Sequence, residues 1–128
     1  MDAAVENALA RGGIADITTT GRKSGLPRRI EIYFHNFDGN YYLSGRPGFK
    51  RDWVANLAAH PRFTLHLKRG AAADIPAVAT LVKDPQRRWD LLFRARTESW
   101  GVDPERARRD HQHWVDTAPL VSFELEEG

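Results

Sequence analysis

Residues 28–37, RRIEIYFHNF, alternate with a period of two: Ile30, Ile32 and Phe34 share one face, and Arg29, Glu31, Tyr33 and His35 the other. That period builds a pleated strand with one buried face, whereas on a helix it would scatter the apolar residues around the axis. Asp38-Gly39 follows at once, the dipeptide that two-residue hairpins favour, and residues 40–44 return as the partner strand. A strand pair this well specified commits the chain to a sheet whose neighbours are joined by tight turns.

The remaining segments extend that sheet. Residues 14–20 are rich in β-branched side chains and end at Gly21, so they read as a strand linked to 28–37 by the turn 21–27. Residues 62–68 alternate again through Phe63, Leu65 and Leu67; 74–82 form an apolar run with Pro76 near its start; 120–125 alternate to the end. Helices are predicted over 3–11, 51–60, 85–99 and 104–116. The last two open on Asp84-Pro85 and Asp103-Pro104, an N-cap acid followed by a proline at the first helical position. Trp89, Leu92, Phe93 and Arg96 mark one face of the first of these. Six short strands with mostly hairpin-length links point to a small antiparallel barrel of mainly β, α+β class, with the helices outside it.

At 128 residues the chain has room for one domain, 1–128, around one core. Cysteine is absent, which removes disulfides, thiolate metal sites and a cysteine nucleophile. The acidic amino terminus does not look like a signal peptide, and no apolar run reaches the roughly 20 residues of a membrane span, so a soluble, cytoplasmic protein is expected. The five histidines show no His-Glu-x-x-His spacing, and no metal is expected. The overall net charge is only +2, yet residues 22–51 hold seven basic side chains against two acids. Such a cluster implies an anionic partner, either a small phosphorylated molecule or a nucleic acid backbone.

Three constellations carry chemistry. Gly21-Arg22-Lys23-Ser24-Gly25, with Arg28 just beyond, places two glycines around two cations and a hydroxyl at a strand end. Glycine backbones can aim successive N–H groups into one concavity, and the cations add charge, so the turn suits a phosphate. Its spacing is not that of a P-loop. Gly45-Arg46-Pro47-Gly48 then runs through Lys50 and Arg51 into a helix start, where free N–H groups and the dipole favour an anion. On that helix Trp53 can wall a flat ring or anchor the core, and Asn56 lies on the same face. Tyr33 can donate a hydrogen bond or a proton to a substrate oxygen. Arg29 and His35, on the same strand face, are expected to be solvated. The glycine-rich, phosphate-sized turn fits a small molecule better than a nucleic acid, which would need exposed stacking aromatics.

Taken together, Thr18-Thr19-Thr20-Gly21-Arg22-Lys23-Ser24-Gly25, Pro27-Arg28, Tyr33, Trp53, Asn56-Leu57 and Pro61-Arg62 resemble the deazaflavin-dependent nitroreductase family, within the flavin- and deazaflavin-binding split-barrel superfamily. The likeness spans about residues 17–68. It implies a six-stranded antiparallel split β-barrel and hydride transfer from a reduced 5-deazaflavin coenzyme, F-420, to a small electron-poor acceptor such as a quinone, nitroaromatic or activated enone. It carries the phosphate and tail contacts to Arg22, Lys23, Ser24, Gly25 and Arg28. Gly45 and Arg46 stand in the loop after the third strand, where the family has a lysine. It carries the active-site tyrosine to Tyr33 and the helix tryptophan to Trp53, with Asn56 nearby. Glu31 stands where that family often has an apolar residue or proline. FMN is the alternative cofactor, a non-catalytic binder of a flavin-like or porphyrin-like ligand the alternative role, and a homodimer the implied assembly.

Overall fold

A computed structural model describes residues 2–48 and 51–126. Helix α1 (Ala3–Arg11) precedes strands β1 (Gly13–Thr20), β2 (Pro27–Phe37) and β3 (Asn40–Ser44). Helix α2 (Asp52–Ala59) leads to β4 (Arg62–Leu67) and β5 (Ala73–Leu81), then α3 (Pro85–Arg94), α4 (Pro104–Thr117) and β6 (Leu120–Leu125). All neighbours are antiparallel, and the strands close into a barrel in the order β1-β2-β3-β6-β5-β4. The split-barrel architecture expected of the sequence is therefore present.

Local chemistry explains the element ends. Asp84 accepts a hydrogen bond from the Arg87 amide at 2.9 Å and Asp103 from the Arg106 amide at 3.2 Å, the N-caps anticipated from the two Asp-Pro pairs. The β2–β3 hairpin turns at Asp38-Gly39, both at positive φ, and its register pairs Phe37 with Asn40, His35 with Tyr42 and Tyr33 with Ser44. One expected helix is altered. Residues 85–99 are α-helical only to Arg94, and Ala95–Ser99 widen into a π-helical turn, with the Trp100 amide reaching back to the Ala95 carbonyl at 3.1 Å. Such turns are uncommon outside functional regions.

Two cores result. The inward faces of the strands, with Ile17, Phe34, Leu43, Leu65 and Val121 near zero exposure, fill the barrel, and Val5 and Leu9 of α1 and Trp53 and Leu57 of α2 join them. A second cluster lies outside the barrel: Phe37 and Tyr42 from the outward faces of β2 and β3 pack against Leu92, Ala95 and Leu120, with Trp100 and Trp114 at its margin. This outer layer overturns one expectation. His35 shares its face with Phe37 and is 2% exposed rather than solvated, because Ser99 and Trp100 at the end of the π-helical turn lie over it. Arg29, farther from the helices, is exposed and pairs with Asp16 at 3.0 Å. No helix among the described residues is long and apolar enough to cross a membrane.

Candidate active site

The turn that follows β1 is built from its own residues. The Gly25 amide bonds the Gly21 carbonyl and the Gly21 amide bonds the Leu26 carbonyl, each at 2.8 Å, while the Leu26 amide donates to Ser24 Oγ at 3.1 Å. Gly25 adopts φ +70°, a conformation other residues avoid. Gly21 is needed for a different reason: a Cβ there would sit 2.5 Å from Ser24 Oγ. These amides and that of Arg22 are satisfied within the protein, whereas the Lys23 and Ser24 amides have no hydrogen-bond partner among the described residues. The Arg22 backbone N and Nη1 donate to Asn56 Oδ1 at 3.0 and 3.1 Å, and its Nη2 faces Asp52 at 3.4 Å. The exposed side chains of Lys23 and Arg28 have no hydrogen-bond or ion-pair partner among the described residues. They line a pocket of about 350 Å³ together with Ser24 and Asn56.

Asn56, 3% exposed, is a bracket for that turn. Its carbonyl takes both Arg22 bonds and its amide donates to Thr19 Oγ1 at 3.2 Å, so α2 holds the turn against β1. Trp53, one helical turn earlier on α2, is 7% exposed. It is a core anchor that also lines the pocket.

Beyond Trp53 the pocket passes into a groove of about 940 Å³; Ile30, Asp52 and Trp53 line both. One wall of the groove is β2, through Glu31 and Tyr33, and the end of β3 adds Ser44, Gly45 and Arg46. The opposite wall comes from the α3–α4 connection, as Trp100 and Val102, and from α4, as Trp114. Arg46 is exposed at the rim, and its carbonyl accepts a bond from Arg51. Lys50 lies outside the described residues. Glu31 does not add a free negative charge, since its carboxylate meets Lys68 Nζ, which also binds Asp16. Lys68 holds the Asp16 carboxyl below its usual range, chiefly through that hydrogen bond.

Two groove residues, Ser44 and Trp100, and two that support them, His35 and Arg96, escaped the sequence reading. Ser44 faces Tyr33 across the β2–β3 ladder, which counting outward from Asp38-Gly39 would have revealed. His35 lies under the groove, its ring 4.9 Å from that of Tyr33 and 5.4 Å from that of Trp100. Its Nε2 contacts Ser44 Oγ and its Nδ1 contacts Ser99 Oγ at 2.8 Å. Burial pushes the imidazole down to about 4, so it is neutral near pH 7. Trp100 lies 5.7 Å from Tyr33 and 5.9 Å from Trp114, giving the groove an aromatic flank. Arg96, 5% exposed, stacks 4.4 Å over Trp114 and binds Asp110 at 2.7 Å, fixing that flank from behind. Among the described residues no three His, Asp or Glu side chains gather as a metal set.

A groove with flat apolar walls, continuous with a pocket that offers uncompensated cations, fits a molecule with a planar ring at one end and an anionic group at the other. Comparison with solved structures agrees at the level of fold. A conserved hypothetical protein, Rv2991 of Mycobacterium tuberculosis, superposes with a TM-score of 0.75 at 17% identity, over 99% of this chain and 82% of that one. The heme storage protein HutZ of Vibrio cholerae gives 0.66 at 16% identity, over 97% and 89%. The F420-H2 dependent reductase FDR-A gives 0.56 at 21% identity, over 89% and 94%. The model of the F420H(2)-dependent quinone reductase family matches residues 2–118, nearly the whole chain, and the protein belongs to that family of deazaflavin-dependent reductases.

Proposed function

We propose that this reductase carries hydride from reduced F420 to a quinone or a similarly electron-poor acceptor bound in the groove. The observation that supports this most directly is the continuity of groove and basic pocket across Trp53 and Ile30. The deazaflavin supplies the hydride when bound, and the protein supplies position and electrostatics. In this reading Lys23, Arg28 and the Ser24 hydroxyl hold the phosphate side, with Gly25 shaping the turn and Arg22 and Asn56 bracing it. Gly45 and Arg46 border the far rim. Trp53 supports one edge of the ring, Trp100 the other. Tyr33 projects at the groove between them and hydrogen-bonds the acceptor oxygen, where it can also serve as proton donor.

One observation favours a second reading. Asp52 offsets Arg22, and Lys68 offsets Glu31, which leaves a cation pair suited to a single phosphate as in FMN. Fluorescence titration of cofactor-free protein with F420 and with FMN separates the two. At least ten-fold tighter F420 binding, followed by quinone-dependent oxidation of F420H2, is the expected result. Preference for FMN moves the protein to the flavin branch, and binding of both without turnover on any acceptor makes it a carrier. The homodimer implied by the family resemblance belongs to the same reading, and sedimentation velocity with and without cofactor measures it.

A further inference from the structure

We propose that Ser44, His35 and Ser99 form a proton relay that joins the groove to the outer surface at the π-helical turn, and that it supplies the proton an acceptor requires once it has taken hydride. The proposal rests on the reductase reading above. Its geometry is a three-membered chain. Ser44 lines the groove opposite Tyr33, its Oγ contacts His35 Nε2, and His35 Nδ1 contacts Ser99 Oγ at 2.8 Å. Ser44 and His35 are 2% exposed, whereas Ser99 is only half-buried, so the chain runs from the groove through a dry layer toward solvent.

The surroundings of the imidazole suit relay rather than charge storage. The rings of Tyr33, Phe37 and Trp100 lie 4.9, 5.1 and 5.4 Å away, and among the described residues no carboxylate hydrogen-bonds the imidazole. Burial keeps the ring neutral, with one nitrogen donating and the other accepting in either tautomer. A neutral imidazole between two hydroxyls takes a proton at one nitrogen as it gives one up at the other. The phenol of Tyr33 has no hydrogen-bond partner among the described residues, so no comparable protein chain reaches it.

The step balances as follows. Hydride from the reduced deazaflavin adds to a quinone and leaves a hydroquinone monoanion; both electrons come from the deazaflavin. The Ser44 O–H bond breaks and its proton goes to the anionic oxygen. The Nε2 proton of His35 moves to the Ser44 oxygen, Nδ1 takes the Ser99 hydroxyl proton, and Ser99 is reprotonated by water. Net consumption is one hydride and one solvent proton. The π-helical turn is what brings Ser99 to Nδ1, which gives that irregularity a use.

The test compares Ser44→Ala, Ser99→Ala and His35→Gln in the F420H2-loaded protein, with 15N-histidine-labelled protein as an activity-independent readout. The expected result is F420 affinity within about two-fold of the parent for Ser44→Ala and Ser99→Ala. Turnover should fall on the order of 100-fold in Ser44→Ala, within the range of general acid catalysis, and less in Ser99→Ala, with a larger solvent isotope effect on kcat in the latter. The His35 ring N–H should exchange with deuterium rapidly in the parent and at least ten-fold more slowly in Ser99→Ala. His35→Gln, which keeps hydrogen-bonding capacity without tautomers, should match Ser44→Ala if it folds. Parent-like turnover in both serine variants overturns the relay, as does unchanged ring exchange in Ser99→Ala. Loss of the isotope effect in Tyr33→Phe alone also overturns it and assigns the proton to Tyr33. Failure of the parent to bind F420 strikes the reductase reading instead, and the exchange measurement still reports on the chain.

Discussion

The two sides of the groove are made in opposite ways. The basic turn is a run of consecutive residues, closed by its own backbone bonds and pinned by Asn56, and its cations Lys23 and Arg28 stand in solvent. The aromatic side draws Tyr33 and His35 from β2, Trp100 from the π-helical turn and Trp114 from α4, and it stands on a buried cluster and on Arg96. Charge is thus presented by a part of the molecule that contributes little to folding, and ring shape by a part that the fold cannot lose. The turn is free to change its ligand chemistry; the flank is constrained by stability before it is constrained by function.

The largest expected effect probes the flank. Replacing Arg96 with Ala removes the guanidinium stacked on Trp114 together with its bonds to the Ala107 carbonyl at 2.8 Å and to Asp110 at 2.7 Å. Asp110 is left in solvent, so the loss comes from emptying a large, nearly buried side chain's volume, about 3–5 kcal/mol. Urea unfolding of the variant should show that loss; a change under about 1 kcal/mol would mean that the flank is not held by Arg96 and that the contrast between the two sides is overstated.

Next in size is a dependence on pH. His35 titrates at about 4 in the folded protein against an ordinary 6.5, because burial disfavours its charged form. The unfolded chain therefore binds the extra proton first as pH falls. Stability from this group is complete above pH 6.5, declines between 6.5 and 4, and is lost below, a difference of about 3 kcal/mol. His111, also lowered mainly by burial, has the same sign and adds to the slope. Denaturation midpoints measured from pH 7 to pH 4 should fall, and His35→Gln should remove a large share of that fall. A slope unchanged by the substitution would place the acid sensitivity elsewhere.

Asn56 ties the basic turn to α2 and β1, and Asn56→Ala sharpens the comparison. It leaves the Arg22 amide without its acceptor and frees Thr19 Oγ1, a loss of about 1–3 kcal/mol. Cofactor affinity should fall with it, because Lys23 and Arg28 then sit on a turn no longer braced. If stability falls and affinity does not, the turn holds its shape alone.

How much of this was legible in the sequence follows the same division. Alternation in residues 28–37, the Asp38-Gly39 hairpin and the two Asp-Pro caps each depend on near neighbours, and each is found in the structure. The basic turn was visible for the same reason. Alternation assigns residues to a face but does not say what covers that face, so His35 read as solvated although Ser99 and Trp100 lie over it. The break of the third helix into a π-helical turn at Ala95 has no local signature in a segment of ordinary helix formers. The pairing of Arg22 with Asn56 and Asp52, 34 and 30 residues away, is also tertiary, and no local pattern announces it.

The smallest effect on folding belongs to Lys23→Ala. Its side chain is exposed and makes no ion pair among the described residues, and surface substitutions of that kind stay within about 0.5 kcal/mol. The same substitution should weaken binding of a phosphate-bearing cofactor roughly ten-fold, the value of one charge-assisted contact of about 1.4 kcal/mol. Because the contact is at the surface, the deficit should shrink as salt rises from 0.05 to about 0.5 M, where screening shortens the reach of the lysine. Titration of parent and variant at both ionic strengths measures this. A deficit that persists in high salt would mean that Lys23 shapes the pocket rather than charging it, and an absent deficit would leave Arg28 as the cation that meets the phosphate. Either result separates charge from shape within the turn itself, where the contrast with the aromatic flank predicts that only charge is at stake.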